Sequence, residues 1–277
     1  MPGRLVLCAT PIGNLGDAPP RLADELAAAE VAFAEDTRRA AKLLAHLGLE
    51  VAVRSFFVGN EVMRADELAE RLARGERVAL VTDAGTPAVA DPGVAAVRAA
   101  VDAGAEVSVV PGPSAVTAAI AVAGLGGDRF SFEGFLPRRG RERTERLAAI
   151  ASADAPVVLF TTGPRVVDDL GELAAVAADR EVVVCRELTK LHEEVWRGSL
   201  ASAASHWSGA TRKGEFTVVV AAAPPEPAGS MDDAEESARA AVAAGERRSV
   251  AARDAAHRFG VDRGELYDRL VSSDEQA

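Results

Sequence analysis

A short apolar run that ends in a turn rich in glycine and proline most constrains how this chain folds. Residues 78–93 read VALVTDAGTPAVADPG, in which Val78–Val81 predicts a strand and Thr82–Gly93 a turn before an alanine-rich helix. A continuous apolar run is typical of a strand buried on both faces, as in a parallel sheet. The polar turn then lies at the carboxyl end of the strand, where open α/β sheets bind ligands.

Two carboxylates, Asp83 and Asp91, belong to this turn. They could accept hydrogen bonds from the hydroxyls or the amine of a ligand, and the glycines let the backbone approach it closely. The alternative is an ordinary strand-to-helix turn in which Asp91 caps the next helix.

The totals describe a globular protein of ordinary composition. Its 277 residues favour two domains, and 48% hydrophobic with 26% charged residues excludes a disordered or fibrous chain. A formal net charge of -11 argues against a protein that coats nucleic acid by bulk electrostatics, although a local basic face could still do so. No apolar stretch approaches the roughly 20 residues of a membrane span, so we expect a cytoplasmic protein without a membrane partner.

Cysteine usage points to a reducing compartment. Cys8 and Cys185 each lie in an apolar run, so we expect two buried thiols rather than a disulfide. There is no CxxC motif or Cys/His cluster, and we expect no metal site.

The first half of the chain alternates predicted strands and helices. The further strands are Arg4–Ala9, Val31–Ala34, Val51–Phe57 and Val107–Val110, and helices begin near Arg21, Ala40, Glu61, Val94 and Ser114. A loop with Gly13 and Gly16 follows the first strand, but its spacing fits neither a dinucleotide fingerprint nor a P-loop. We therefore expect no nucleoside triphosphate site.

Charged residues follow the second predicted strand, namely Glu35, Asp36 and Arg38. In a parallel sheet they would share one edge with the loops that contain Thr10 and Thr82. The alternative is a solvated helix start with an acidic first turn.

Pro111, Gly112 and Pro113 end the strand Val107–Val110, and Ser114 comes next. Its hydroxyl is well placed to cap a helix of small residues, while its backbone N–H could face a ligand.

The pattern changes near Gly126, and the second half predicts a further α/β unit. We expect three parts: an α/β domain over residues 1–125, a second over 126–224 and a linker with a small helical segment over 225–277. The predicted elements of the second domain are the strands Phe130–Leu136, Val157–Phe160, Glu181–Cys185 and Phe216–Ala223 and the helix Thr161–Ala177.

The most basic stretch, Arg138–Arg146, holds five arginines against two glutamates. It predicts a mobile arm for a phosphate backbone, or else a solvated interdomain loop with a salt-bridged helix start. Near the C-terminus, two short helices flank Phe259–Val261 and resemble a helix-turn-helix, although the weak spacing favours a small capping bundle in which His257 is packed.

Six motifs in order resemble one known family. They are TPIGNLGD (10–17), AEDTRRAAKLL (34–44), TDAGTPAVADPG (82–93), VPGPSA (110–115), FEGFLPRRGRER (132–143) and RELTKLHEE (186–194). The family is that of the 2'-O-ribose methyltransferases that modify a decoding-centre cytidine of 16S rRNA in the small ribosomal subunit, on the tetrapyrrole-methylase (class III) fold. The resemblance implies a pair of α/β domains with S-adenosyl-L-methionine in the cleft between them, a homodimer and no metal.

The resemblance also implies roles for particular residues. The cofactor would be held by Pro11, Gly13, Asp83, Gly85, Thr86, Pro87, Gly112, Ser114, Ala115, Thr161 and Thr162. The candidates for the base or for ribose positioning are Glu35, Asp36, Glu187 and Lys190, of which Lys190 would need a depressed pKa. The RNA would meet Arg38, Arg138, Arg139, Arg141 and Arg143.

The chain departs from the family pattern in three places. Thr82 and Ala90 stand where the family usually has serine, residues 56–59 replace a His-rich run, and residues 161–165 replace a Glu-Ser-Pro-His-Arg type segment. Two other functions remain open: a methyltransferase of the same fold that acts on a tetrapyrrole-like small molecule, and a non-catalytic ribosome-binding protein. The basic stretch and RELTKLHEE argue against the small-molecule methyltransferase. An absence of cofactor binding would favour the ribosome-binding protein.

Overall fold

The computed structural model describes residues 2–224 and 229–272. Tertiary contacts divide the chain into two compact units, Met1–Ala223 and Pro224–Ala277. Residues 225–228 of the expected linker lie outside the described residues.

The first unit begins with a five-stranded parallel sheet of strand order β3-β2-β4-β1-β5. Its strands are β1 (Arg4–Cys8), β2 (Val31–Ala34), β3 (Val53–Ser55), β4 (Arg77–Val81) and β5 (Glu106–Val110). The accompanying helices are α1 (Pro20–Ala27), α2 (Thr37–Leu47), α3 (Glu61–Ala73), α4 (Val94–Asp102) and α5 (Ala115–Ala123). The expected parallel α/β architecture is confirmed, with β3 shorter than the predicted strand at Val51–Phe57.

Local sequence explains why these helices begin and end where they do. Pro20 stands in the first turn of α1, where a missing N–H costs nothing, and Leu22 and Leu26 are buried on one helix face. The Asp36 carboxylate caps α2 by accepting a hydrogen bond from the Arg38 backbone N–H at 2.8 Å. Gly48 ends α2 in the left-handed region at φ 68°.

The second sheet is mixed, with strand order β6-β7-β10-β8-β9. Its strands are β6 (Ser131–Phe135), β7 (Val157–Thr162), β8 (Glu181–Arg186), β9 (Glu194–Ser199) and β10 (Glu215–Val220), and its helices are α6 (Arg141–Ser152), α7 (Val166–Ala177) and α8 (Leu200–Gly209). The expected helix Thr161–Ala177 is wrong at its start. Thr161 and Thr162 finish β7, because they pair with Phe216 and Glu215 of the antiparallel β10.

Helix α5 follows the first sheet but packs on the second. Val116, Ala119 and Ala123 of α5 form a buried cluster with Val158 of β7 and Val219 of β10. Small side chains allow this close approach. The helix therefore holds the carboxyl edge of the first sheet against the second sheet.

The C-terminal unit contains helices α9 (Met231–Ala243), α10 (Arg248–Phe259) and α11 (Arg263–Ser272) around a core of mostly alanine side chains. Gly260 ends α10 at φ 64°. His257 is exposed, so the expectation of a packed histidine is wrong: alanines occupy the inward positions of α10. Within the described ranges, no helix is both long and apolar enough to span a bilayer.

Both thiols are buried and free, as expected. Burial raises the pKa of Cys8 to about 12 and that of Cys185 to about 11.

Two glycines of the second sheet layer provide a matched test of the packing. A Cβ at Gly163 would lie 1.6 Å from the Arg212 carbonyl oxygen, whereas a Cβ at Gly171 on α7 would meet no atom within 4 Å. We expect Gly163→Ala to lower the free energy of unfolding by roughly 1–3 kcal/mol. Gly171→Ala should raise it by about 0.5–1 kcal/mol because alanine favours the helix. Denaturant unfolding followed by circular dichroism measures both, and equal shifts would contradict the packing of β7 on the 209–214 segment.

Candidate active site

The loops after β1 and β4 are joined by a pair of backbone hydrogen bonds. The Thr10 N–H donates to the Gly85 carbonyl oxygen at 2.9 Å, and the Gly85 N–H donates to the Thr10 carbonyl oxygen at 3.0 Å. The Thr10 hydroxyl also donates to the Thr82 carbonyl oxygen at 3.3 Å. The two loops thus share one edge of the sheet, as the parallel arrangement predicts.

The 82–93 turn stores backbone strain. Ala88 and Ala90 adopt φ 67° and 62°, in the left-handed region that costs a residue other than glycine roughly 1–3 kcal/mol. Such strain is typical of functional loops. Gly93 occupies the N-cap position of α4, so the alternative in which Asp91 caps that helix is wrong.

A cavity of about 340 Å³ opens beside this turn, at the edges of both sheets. We call it the main cavity. Its volume lies within the roughly 300–1,000 Å³ of small-molecule sites. It brings together these predicted cofactor residues: Asp83, Gly85, Thr86, Ser114, Ala115, Thr161 and Thr162. Ser114 is the N-cap residue of α5, yet its side chain makes no capping hydrogen bond.

The remaining predicted cofactor residues lie elsewhere. Pro11 and Gly13 line a smaller adjoining cavity. Pro87 is buried, and Gly112 packs so closely that a Cβ there would lie 2.9 Å from the Pro19 side chain. Neither Pro87 nor Gly112 lines the main cavity.

The wall of the main cavity is acidic. Four carboxylates, Glu35, Asp83, Asp91 and Glu215, face it with one cation, Arg39. Burial, reinforced by the charges of Glu35, Asp83 and Glu215, raises the pKa of Asp91 to about 7. Burial likewise raises the pKa of Glu35, although a hydrogen bond from the Asp83 backbone N–H opposes the shift. Such a wall favours a cationic ligand.

The two other carboxylate candidates for the base have lowered pKa values. Hydrogen bonds from the Arg38 side chain and backbone hold the pKa of Asp36 well below its usual range. Burial opposes the shift at Glu187, but the hydrogen bond from Lys190 lowers its pKa.

The depressed pKa that Lys190 would need as a base is not what its surroundings produce. Its Nζ donates to Glu187 Oε1 at 2.9 Å and to Glu215 Oε2 at 2.8 Å. Burial works to lower its pKa, but these two hydrogen bonds raise it. Gly13 makes room for this side chain, because a Cβ at Gly13 would lie 2.4 Å from the Lys190 Cγ.

In the structure, the basic stretch contains one buried arginine, Arg143, and other arginines that lie at the surface. Arg143 is only 5% exposed, with Nη2 2.9 Å from Asp169 Oδ1 and Nε 2.8 Å from Glu172 Oε2. Its assignment to RNA is therefore wrong, since both flanking carboxylates already engage the guanidinium. Arg141 pairs at the surface with Glu145 in α6.

The other predicted RNA contacts are at the surface. Arg138 and Arg139 are exposed. Arg38 is exposed and pairs with Asp36 at 2.6 Å.

Several lining residues were not predicted from the sequence. They include Arg39, Phe135, Phe160, Leu188 and Glu215. Glu215 is the first residue of β10 and directly precedes its apolar run, which is a usable signal for a sheet edge. The sequence pattern does not reveal that β10 runs antiparallel beside β7, which places Glu215 next to Thr162.

Comparisons with known proteins agree with this geometry. The family described as Tetrapyrrole (Corrin/Porphyrin) Methylases matches residues 4–204. The crystal structure of diphthine synthase shares the fold with a TM-score of 0.62 at 19% identity, over 79% of this chain and 89% of that one. That of the methyltransferase CobJ gives 0.60 at 23% identity, over 80% and 95%.

Curated relatives are much more similar in sequence. The ribosomal RNA small subunit methyltransferase I of Synechocystis sp. is 40% identical over 268 residues, covering 96% of each chain. The protein of the same name from Mycobacterium tuberculosis is 42% identical over 277 residues, covering 98% of this chain and 95% of its own. The chain belongs to the tetrapyrrole methylase family and, within it, to the ribosomal RNA small subunit methyltransferase I family.

The raised pKa of Asp91 predicts how stability depends on pH. Its carboxyl titrates near pH 7 when folded and near 3.8 when unfolded, so the folded chain binds more protons between these values. The free energy of unfolding then loses a contribution as pH rises from about 4 to about 7. We expect Asp91→Asn to raise the thermal midpoint over wild type more at pH 8 than at pH 5.

Thermal midpoints of both proteins at pH 5, 6, 7 and 8 measure this. Asp36→Asn is the control, because the lowered pKa of Asp36 confines its titration to below about pH 4, so its thermal midpoint should differ from wild type by the same amount at all four pH values. A difference in thermal midpoint between wild type and Asp91→Asn that stays constant from pH 5 to pH 8 would contradict the raised pKa of Asp91.

Proposed function

We propose that this protein transfers a methyl group from S-adenosyl-L-methionine to the 2'-hydroxyl of a cytidine in the decoding centre of 16S rRNA. The observation that carries the proposal is an acidic cavity of ligand size in a chain 40–42% identical to proteins named ribosomal RNA small subunit methyltransferase I. The nucleotide and its position come from the motif resemblance. The same proposal names the small ribosomal subunit as the partner and the cytoplasm as the location.

The residues of the main cavity fit the cofactor. A sulfonium and an amine carry positive charge, and the carboxylates of Asp83 and Asp91 complement them. Phe135 and Phe160, whose ring centroids are 5.6 Å apart, offer apolar surface to a purine. Ser114 supplies a hydroxyl that makes no capping hydrogen bond to its own helix, α5. When bound, the cofactor supplies an electrophilic methyl group.

Removal of the proton from the ribose hydroxyl requires a base near neutral pH. Among the candidates, Glu35 lines the main cavity and has a raised pKa. Asp91 was not among them but lines the same cavity with a pKa of about 7. We assign proton transfer to these two carboxylates, since a carboxylate with a raised pKa accepts protons better than one with a lowered pKa.

Oligomeric state and RNA contacts also belong to the proposal. A homodimer would cover exposed apolar side chains such as Phe57, Val58, Val62 and Met63, which are 45–76% exposed. Exposed Arg138 and Arg139 remain proposed contacts for the RNA backbone, with Arg38 and Arg141 beside surface carboxylates.

Isosteric variants test the base. Glu35→Gln and Asp91→Asn each remove a proton acceptor, and at least one should lower turnover by about a hundredfold to ten-thousandfold. Asp36→Asn is the neighbouring control, because asparagine caps a helix as well as aspartate and turnover should stay near wild type. Calorimetry of cofactor binding separates lost chemistry from lost binding. Near-normal turnover in both Glu35→Gln and Asp91→Asn would refute the assignment.

Methyl transfer itself tests the function. Purified protein is incubated with labelled S-adenosyl-L-methionine and small ribosomal subunits from cells lacking the enzyme, and the nucleoside is identified by mass spectrometry. We expect 2'-O-methylcytidine. Cofactor binding without transfer would favour a small-molecule methyltransferase, and absence of cofactor binding would favour a ribosome-binding protein without activity.

A further inference from the structure

A second cavity of about 270 Å³ adjoins the main cavity. The two share five wall residues, Ile12, Arg39, Asp83, Ala84 and Glu215. The second cavity continues beneath the loop after β1 and beside helix α2. A ligand in one cavity would therefore lie next to a ligand in the other.

The charges of the two cavities differ in sign. The main cavity has one cation against four carboxylates, whereas the second has three cations, Arg39, Lys42 and Lys190, against Asp83 and Glu215. Arg39 lies 3.4 Å from Asp83, and Lys190 lies 2.8 Å from Glu215. Lys42 is exposed on α2 and forms no ion pair with any residue that the structure describes. The excess positive charge therefore resides at Lys42.

Thr82 lines the second cavity and carries a hydroxyl whose hydrogen bonding is unsatisfied among the described residues. Thr82 is 6% exposed, and its Oγ1 is buried without a hydrogen-bond partner in the described part of the chain. Its carbonyl oxygen is engaged by the Thr10 hydroxyl, so only the side chain is unpaired. A buried polar group without a partner costs stability unless a ligand supplies one.

We propose that the second cavity binds one sugar–phosphate unit of an RNA acceptor, with Lys42 facing the phosphate and the Thr82 hydroxyl bonding the sugar. The inference rests on the proposed function and adds where the acceptor enters. The volume lies just below the roughly 300 Å³ of the smallest usual ligand sites, which suits one unit of a polymer whose remainder stays outside. The cationic methyl donor and the anionic acceptor then occupy cavities of opposite charge that meet at Asp83 and Glu215.

Two substitutions and one control test this assignment. Thr82→Val keeps the shape and removes the hydroxyl, Lys42→Ala removes the cation, and Arg98→Ala removes an exposed cation of α4 that lines neither cavity. The probe is the small ribosomal subunit without the modification. Three quantities are measured: the dissociation constant for subunits over a range of salt, that for S-adenosyl-L-methionine and the thermal midpoint.

The expected results separate a ligand contact from a structural role. Thr82→Val should bind subunits roughly three- to tenfold more weakly, with unchanged cofactor affinity and a thermal midpoint no lower than wild type. Lys42→Ala should reduce the slope of log affinity against log salt by about 0.7. Arg98→Ala should match wild type in all three quantities.

Other results would overturn the assignment. They are unchanged subunit binding by Thr82→Val, a loss of cofactor affinity in that variant, or a salt slope for Lys42→Ala equal to that of Arg98→Ala. Subunit binding is measured without turnover. A wild-type protein that transfers no methyl group would therefore refute the proposed function while the binding measurements still decide the role of the cavity.

Discussion

Parallel pairing of β1 with β4 is the constraint on which the site depends. It aligns Cys8 with Val81, so the loops that follow both strands leave the sheet at the same edge, where Thr10 and Gly85 exchange hydrogen bonds. Pairing of β2 with β4 brings Glu35 to that edge as well. Because a parallel ladder fixes the direction of every strand, one edge collects the loops and their carboxylates.

Electrostatic repulsion and backbone strain are concentrated at this edge. Burial and, after it, the charges of Glu35 and Asp83 raise the pKa of Asp91, and Ala88 and Ala90 hold unfavourable backbone angles. A buried parallel sheet and helix α5, which packs on β7 and β10, support the loop in this state. Both the repulsion and the strain are unfavourable in the absence of a ligand, and such local costs are typical of functional sites.

Much of the fold follows from local sequence, but several features of the site do not. Apolar runs that end in glycine and proline predict the first sheet and the turn with Asp83, because both signals lie within one segment. The position of β10 between β7 and β8 is a pairing of remote segments, and it decides where Glu215 lies. The sequence makes Arg143 a candidate for contact with RNA, yet in the structure it is buried and pairs with Asp169 on another helix. Lys190 likewise owes its raised pKa to hydrogen bonds with Glu187 and with Glu215, of which Glu215 is distant in the chain.

The most direct test of the acidic main cavity compares a cationic with a neutral ligand. Calorimetry at pH 8 gives the dissociation constants of S-adenosyl-L-methionine, a sulfonium, and S-adenosylhomocysteine, a neutral sulfide, for wild type and Asp91→Asn. Loss of one negative charge should weaken binding of the sulfonium by roughly three- to tenfold more than binding of the sulfide, as for a charge pair partly screened by water. Equal weakening of both ligands, or no change in either, would contradict selection of a cationic methyl donor by these carboxylates.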